Sequence, residues 1–138
     1  MAKLIALCPC GSNKKYPDCC GRYIEGNEIP LTAEALMRSR YTGYTLLKEE
    51  YLKITWHVSS RPQHLGLTEE EQGKWLGLQV KRHEQLDETH ALVEFVARYK
   101  IGGRAHRLHE VSRFVLEEGR WFYVDGEVEG TDLKPPNL

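Results

Sequence analysis

All four cysteines of this 138-residue chain fall in one segment, Cys8-Pro9-Cys10-Gly11-Ser12-Asn13-Lys14-Lys15-Tyr16-Pro17-Asp18-Cys19-Cys20-Gly21. The spacing C-x-C-x8-C-C packs four soft ligands into 13 residues. Such a set converges on one tetrahedral ion, with metal–sulfur distances of about 2.3 Å when the ion is zinc. Gly11 and Gly21 follow the two ligand pairs, where the chain must fold tightly, and Pro17-Asp18 signals a turn that returns the second pair over the first. Lys14, Lys15 and Arg22 can offset the negative charge of a four-thiolate unit. The neighbours Cys19 and Cys20 could form a disulfide only through a strained ring, and neither pair has the two-residue spacing of a redox dithiol. An iron–sulfur cluster uses the same ligands, so the residues leave another metal open. The expected cofactor is zinc in a structural role, because four thiolates leave no position for water or substrate.

The residues Cys8-Pro9-Cys10-Gly11-Ser12, Lys14-Lys15-Tyr16 and Cys19-Cys20-Gly21 resemble the SEC-C motif, the zinc-binding tail of the bacterial preprotein translocase motor. Asn13 stands where that motif usually has glycine, and asparagine tolerates the same left-handed backbone. The motif contacts partner proteins in the translocase, so the resemblance implies a protein partner for residues 1–22 here.

Beyond this knuckle the chain reads as a globular domain. Lys and Arg total 19 against 20 Asp and Glu, for a net charge of −1, which carries no signature of a nucleic-acid partner. No apolar run approaches the roughly 20 residues of a membrane span. Pro9 interrupts the apolar start at Met1–Cys8, short of the roughly 7–15 residues that a signal core needs, so a cytoplasmic protein is expected. Residues 23–31 read as a linker ending near Pro30. Thr32 offers an N-cap with Glu34 in the first turn, and Gly43 is expected to break that helix. A second helix is expected over Tyr44–Trp56, with Leu47, Tyr51 and Ile54 on its apolar face. Thr68 and Glu71 have the spacing of a capping box, and residues 131–138 read as a flexible tail.

From Trp75 the period changes to two, and three turn signals follow: Asp87-Glu88, Gly102-Gly103 and Glu118-Gly119. Turning at these points places Leu76 opposite Tyr99, Leu78 opposite Ala97 and Val80 opposite Phe95. It also places Phe95 opposite Glu110, Ala91 opposite Phe114, Phe114 opposite Tyr123 and Ser112 opposite Asp125. All three hairpins then gather their apolar residues on one face, with Lys81 beside Glu94 and Arg98 beside Arg107 on the other. The expected architecture is α+β: N-terminal helices packed on a curved antiparallel four-strand meander over residues 32–130, preceded by a zinc knuckle.

That order of elements resembles the cone-like nuclear-transport-factor-two-like (NTF2-like, SnoaL-like) fold. The segments Arg38-Ser39-Arg40-Tyr41, Tyr51-Leu52, Thr55-Trp56-His57 and Arg61-Pro62, joined to the knuckle, resemble the bacterial YchJ family. In cone-like folds the inner sheet face lines a cavity. Tyr99, His106, Glu110, Ser112, Tyr123 and Asp125 are therefore candidate cavity residues, with His57 and Arg61 at its mouth. An isomerase-like enzyme would use Glu110 or Asp125 as base and His106, Tyr99 or Tyr123 as donor. A satisfied structural network, in which Glu110 pairs with Arg38 or Arg40, explains the same residues without catalysis. The expected function is a non-enzymatic adaptor that presents the knuckle to a partner; a small-molecule binder or isomerase is the alternative.

Overall fold

A tight N-terminal knuckle, short helices and four long strands follow one another in a computed structural model that describes residues 7–65, 67 and 73–128. A 3-10 turn (Tyr16–Asp18) leads to α1 (Gly21–Ile24), α2 (Ala33–Thr45) and α3 (Glu49–Ile54), and then to β1 (Lys74–Gln85), β2 (His90–Ile101), β3 (Arg104–Glu117) and β4 (Arg120–Val128). The strands form one antiparallel sheet in the order β1-β2-β3-β4, so the α+β meander stands as expected. One core joins Leu36, Met37, Tyr41 and Tyr44 of α2 and Leu52 of α3 to Val93, Phe95, Tyr99, Leu108, Phe114 and Tyr123 of the sheet. The expected capping box at Thr68 and the tail at 131–138 lie outside the described residues.

Thr32 caps α2, its hydroxyl accepting from the Ala35 amide at 3.0 Å. The helix does not break at Gly43. That position is kept small by packing, since a Cβ there would lie 3.2 Å from Leu52 Cδ2. The helix ends instead through Leu47, at φ +57°, with the Lys48 amide bonded to the Gly43 carbonyl at 2.8 Å. A left-handed leucine costs about 1–2 kcal/mol and carries none of the Gly or Asn signal that marks such a stop. The expected second helix over 44–56 therefore shrinks to Glu49–Ile54, and Ile54 is 57 % exposed.

The central hairpin has the expected register throughout, including Ala91 opposite Phe114, Phe95 opposite Glu110 and Arg98 opposite Arg107, and it sets Tyr99 opposite His106. The outer two hairpins each depart from theirs at bulges. Leu76 is extruded, so Trp75 and not Leu76 faces Tyr99, and a second irregularity at Lys81 sets Arg82 against Glu94, with Nε 3.2 Å from Oε1. Between β3 and β4, Phe114 opposes Tyr123 but Arg113 opposes Asp125, which leaves Ser112 opposite Gly126 rather than Asp125. The extra residue is Val124, whose carbonyl accepts from the Ser60 hydroxyl at 2.6 Å. One inserted residue exchanges faces for everything beyond it. Alongside, the 55–57 segment joins β4, with the Tyr123 amide bonded to the Thr55 carbonyl and the His57 amide to the Tyr123 carbonyl.

Arg40, on the core side of α2, is 1 % exposed. Its Nη1 donates to the Leu52 carbonyl and to Thr55 Oγ1, both at 2.8 Å. Its guanidinium lies 5.0 Å from the Trp56 ring centre and 4.5 Å from that of Tyr123. Burial lowers its pKa, while Tyr44, Tyr123, Tyr51 and the Glu110 carboxylate act in the opposite direction. One cation thus ties α2, the end of α3 and β4 together, and removing it strands the groups that faced it. Arg40→Met is expected to cost about 3 kcal/mol or more in urea unfolding; a loss below about 1 kcal/mol would contradict this role.

Candidate metal centre

The knuckle closes through local backbone bonds. Leu7 pairs with Lys15, and the Cys8 amide donates to the Lys14 carbonyl at 2.8 Å, which folds Cys8 and Cys10 into a tight loop. Asn13 occupies the left-handed region at φ +66°. Pro17 lies in the first turn of the 3-10 segment, and the Cys19 amide returns to the Tyr16 carbonyl at 3.0 Å. Cys19 and Cys20 then lead into α1, the Arg22 and Tyr23 amides bonding to their carbonyls.

The result is convergence of all four sulfurs, which lie within 4.8 Å of one another, with every cysteine buried and unoxidised. Cys10 and Cys19 are 3.6 Å apart. A tetrahedral ion with bonds of about 2.3 Å needs sulfur–sulfur edges of about 3.8 Å, so small adjustments of side chains suffice to seat one. The donor set is four thiolates, which suits zinc or another thiophilic metal and closes the coordination sphere. Hydrogen bonds from the Cys10 and Cys20 thiols hold Cys8 far below the usual thiol range, while the Cys10 and Cys8 thiols and burial push Cys20 up. Four buried thiols thus resist ionising together unless a cation compensates them.

Side chains outside the cysteines complete the surroundings. Ser12 Oγ lies 3.2 Å from Cys19 Sγ, and Arg22 donates to the Cys19 carbonyl at 3.1 Å. Two contacts come from α2, and no spacing in the sequence announced them. Arg38 Nη1 donates to the Cys10 carbonyl at 2.9 Å, and Thr42 Oγ1 lies 3.7 Å from Cys8 Sγ. Burial works against the Arg38 charge, but its bonds with Glu34 and Cys10 raise its pKa overall. Leu78 of β1 packs against the same cluster.

The sheet residues singled out from the sequence separate into two groups. Tyr99, Glu110, Ser112 and Tyr123 are buried on the inner face and His106 is nearly so. Glu110 accepts from the Ser112 hydroxyl at 2.6 Å, against Gly126, where any Cβ would collide with its carboxylate. Tyr99 stacks on His106 with ring centres 5.3 Å apart. Burial pushes the Tyr44 phenol up to about 12 and raises that of Tyr123 as well, so both stay protonated near neutral pH. The side chains of Arg40, Tyr44, Tyr99 and Tyr123 occupy the space between α2 and the sheet. Asp125 is not among them: the bulge at Val124 turns it outward, where it accepts from Arg113 Nε at 2.6 Å. His57 Nε2 sits 2.8 Å from Glu117, and Arg61 Nε donates to the Trp56 carbonyl at 3.0 Å. Both therefore fasten the 56–61 loop to itself and to β3. The arginine near Glu110 is Arg40, since Arg38 is engaged by the knuckle.

Comparison with known proteins matches the same two parts. Residues 6–22 fit the family model of the SEC-C motif, and residues 32–126 fit that described as "YchJ, middle NTF2-like domain". The chain is 54% identical over 133 residues to the UPF0225 protein RSc0270 of Ralstonia nicotianae, covering 89% of this chain and 92% of that one. It is also 54% identical over 128 residues to a UPF0225 protein of Chromobacterium violaceum, covering 89% and 93%. Among solved structures, that of RPA3114, a SEC-C motif containing protein from Rhodopseudomonas palustris, superposes with a TM-score of 0.80 at 34% identity, covering 89% of this chain and 98% of that one. A SEC-C motif containing protein from Psychrobacter arcticus gives 0.72 at 31% identity, covering 89% and 82%. Knuckle, sheet and relatives agree, and the chain belongs to the YchJ (UPF0225) family.

Proposed function

We propose that Cys8, Cys10, Cys19 and Cys20 hold one structural zinc ion, and that the knuckle it organises is a protein-interaction module of a non-enzymatic adaptor. The observation that carries the metal reading is the convergence of four buried sulfurs within 4.8 Å. The ion would neutralise half of the thiolate charge and fix a loop of only 13 residues that has little apolar burial of its own. With all four ligands supplied by the chain, zinc here has no open position for substrate and serves folding. The adaptor reading draws on what the knuckle leaves outside: Asn13, Lys14, Lys15, Pro17 and Asp18 are exposed around the buried sulfurs. A basic, rigid surface of this kind suits an acidic patch on a protein partner.

A second reading, a small-molecule site on the inner sheet face, draws on donors without a hydrogen-bond partner among the described residues: Tyr44 Oη, Trp75 Nε1 and His106 Nδ1. Tyr44 and Trp75 also line a cavity of about 600 Å³ with Thr45, Leu46, Leu47, Gly73 and Lys74, although the three donor atoms themselves are buried.

Purified protein is expected to carry about one zinc per chain, and cobalt in its place should give the intense thiolate-to-metal absorption of a tetrahedral four-sulfur site. A metal content well below one, or a redox-active cluster, would contradict structural zinc. For the adaptor, Lys14→Glu/Lys15→Glu should keep the metal yet change the set of proteins captured from a cell extract. Capture of the same partners by both forms would sink that part of the reading.

A further inference from the structure

We propose that Thr42 and Arg38 of α2 complete the metal centre from outside the cysteine motif, so that bound metal stabilises the α2–sheet body together with the knuckle. The inference rests on the metal reading above and adds to it two positioning residues and a thermodynamic link.

Thr42 is fully buried, and its Oγ1 lies 3.7 Å from Cys8 Sγ. A helical threonine hydroxyl ordinarily bonds back to a carbonyl one turn earlier. Here it points at sulfur instead. A hydroxyl has one proton to give, and a metal-bound thiolate is its natural acceptor, because donation to sulfur spreads the ligand charge and fixes the ligand's orientation. Arg38 sits one turn before Thr42, on the same side of α2, and holds the Cys10 carbonyl at 2.9 Å. It thereby fixes the second ligand and the start of the loop that follows it. Gly11 of that loop approaches β1 closely enough that a Cβ would lie 3.2 Å from the Leu78 carbonyl, and Leu78 packs on the cysteine cluster.

The other faces of α2 carry Leu36, Met37, Arg40 and Tyr44 into the core. The helix that positions the sulfurs is thus the helix that closes the sheet. Losing the ion would leave Thr42 without an ionic acceptor and Arg38 bonded to a loop that no longer holds its shape. The cost would fall on α2 and spread to the sheet it covers.

The test uses the full-length chain. Zinc affinity is measured by competition with a chromophoric chelator for the wild type, Thr42→Val and Thr42→Ser, and thermal unfolding is followed by a probe of the sheet with and without excess chelator. Thr42→Val should still bind one zinc, about 10–100-fold more weakly, and Thr42→Ser should recover most of that loss because it keeps the hydroxyl. Chelation of the wild type should lower the unfolding temperature of the sheet. Equal affinity in the wild type and Thr42→Val, or a sheet transition that chelation leaves unmoved, would overturn the inference even if Thr42→Val proved unstable. A wild type that binds no metal would overturn the metal reading itself, and the link with it.

Discussion

Helix α2 is the constraint on which the rest of the molecule depends, because almost none of its surface is free. Of its 13 residues, nine are buried, among them Ser39, Arg40 and Thr42. A helix that meets neighbours on every side cannot show the single apolar stripe of a surface helix. Its polar side chains must each find a partner, and they do so in different directions. Arg38 and Thr42 turn to the cysteines, Ser39 bonds the Tyr51 hydroxyl at 2.6 Å, and Arg40 reaches the end of α3 and the rings of Trp56 and Tyr123. The sequence Arg38-Ser39-Arg40-Tyr41-Thr42 is thus a set of three docking contacts written on one and a half turns.

The same arrangement fills much of the space between α2 and the sheet. Arg40, Tyr44, Tyr99 and Tyr123 are all buried there. Filling it with amphipathic side chains instead of hydrocarbon leaves donors with no acceptor among the described residues, the guanidinium's Nε and Nη2 among them. Stacking over two aromatic rings offsets part of that desolvation. Glu110 is held close by Ser112 and backed by Gly126, so its surroundings restrain the carboxylate rather than aim it at open space.

What could be read from the chain follows from which forces are local. The cysteine spacing and the three turn signals act over a few residues, so the knuckle and the meander were both legible, down to the pairing of Phe95 with Glu110. The bulges at Leu76, Lys81 and Val124 were not, because each is set by partners distant in sequence. Val124 is held by Ser60 of a loop that precedes the whole sheet, and its extrusion carries Asp125 away from the inner face. The end of α2 was illegible for a different reason: Leu47 takes a left-handed conformation usually reserved for Gly or Asn, and tertiary packing sustains it. Thr42 and Arg38 look like ordinary helix residues until the cysteines are folded beside them.

The central claim, that thiolate cluster, α2 and sheet form one cooperative unit, is tested most directly by amide hydrogen exchange on the metal-loaded and the chelated protein. Chelation is expected to remove protection from residues 8–24 and from α2 together, and to weaken it in the neighbouring strands β1 and β4. Loss of protection confined to residues 8–24, with α2 and the sheet exchanging as slowly as before, would contradict it.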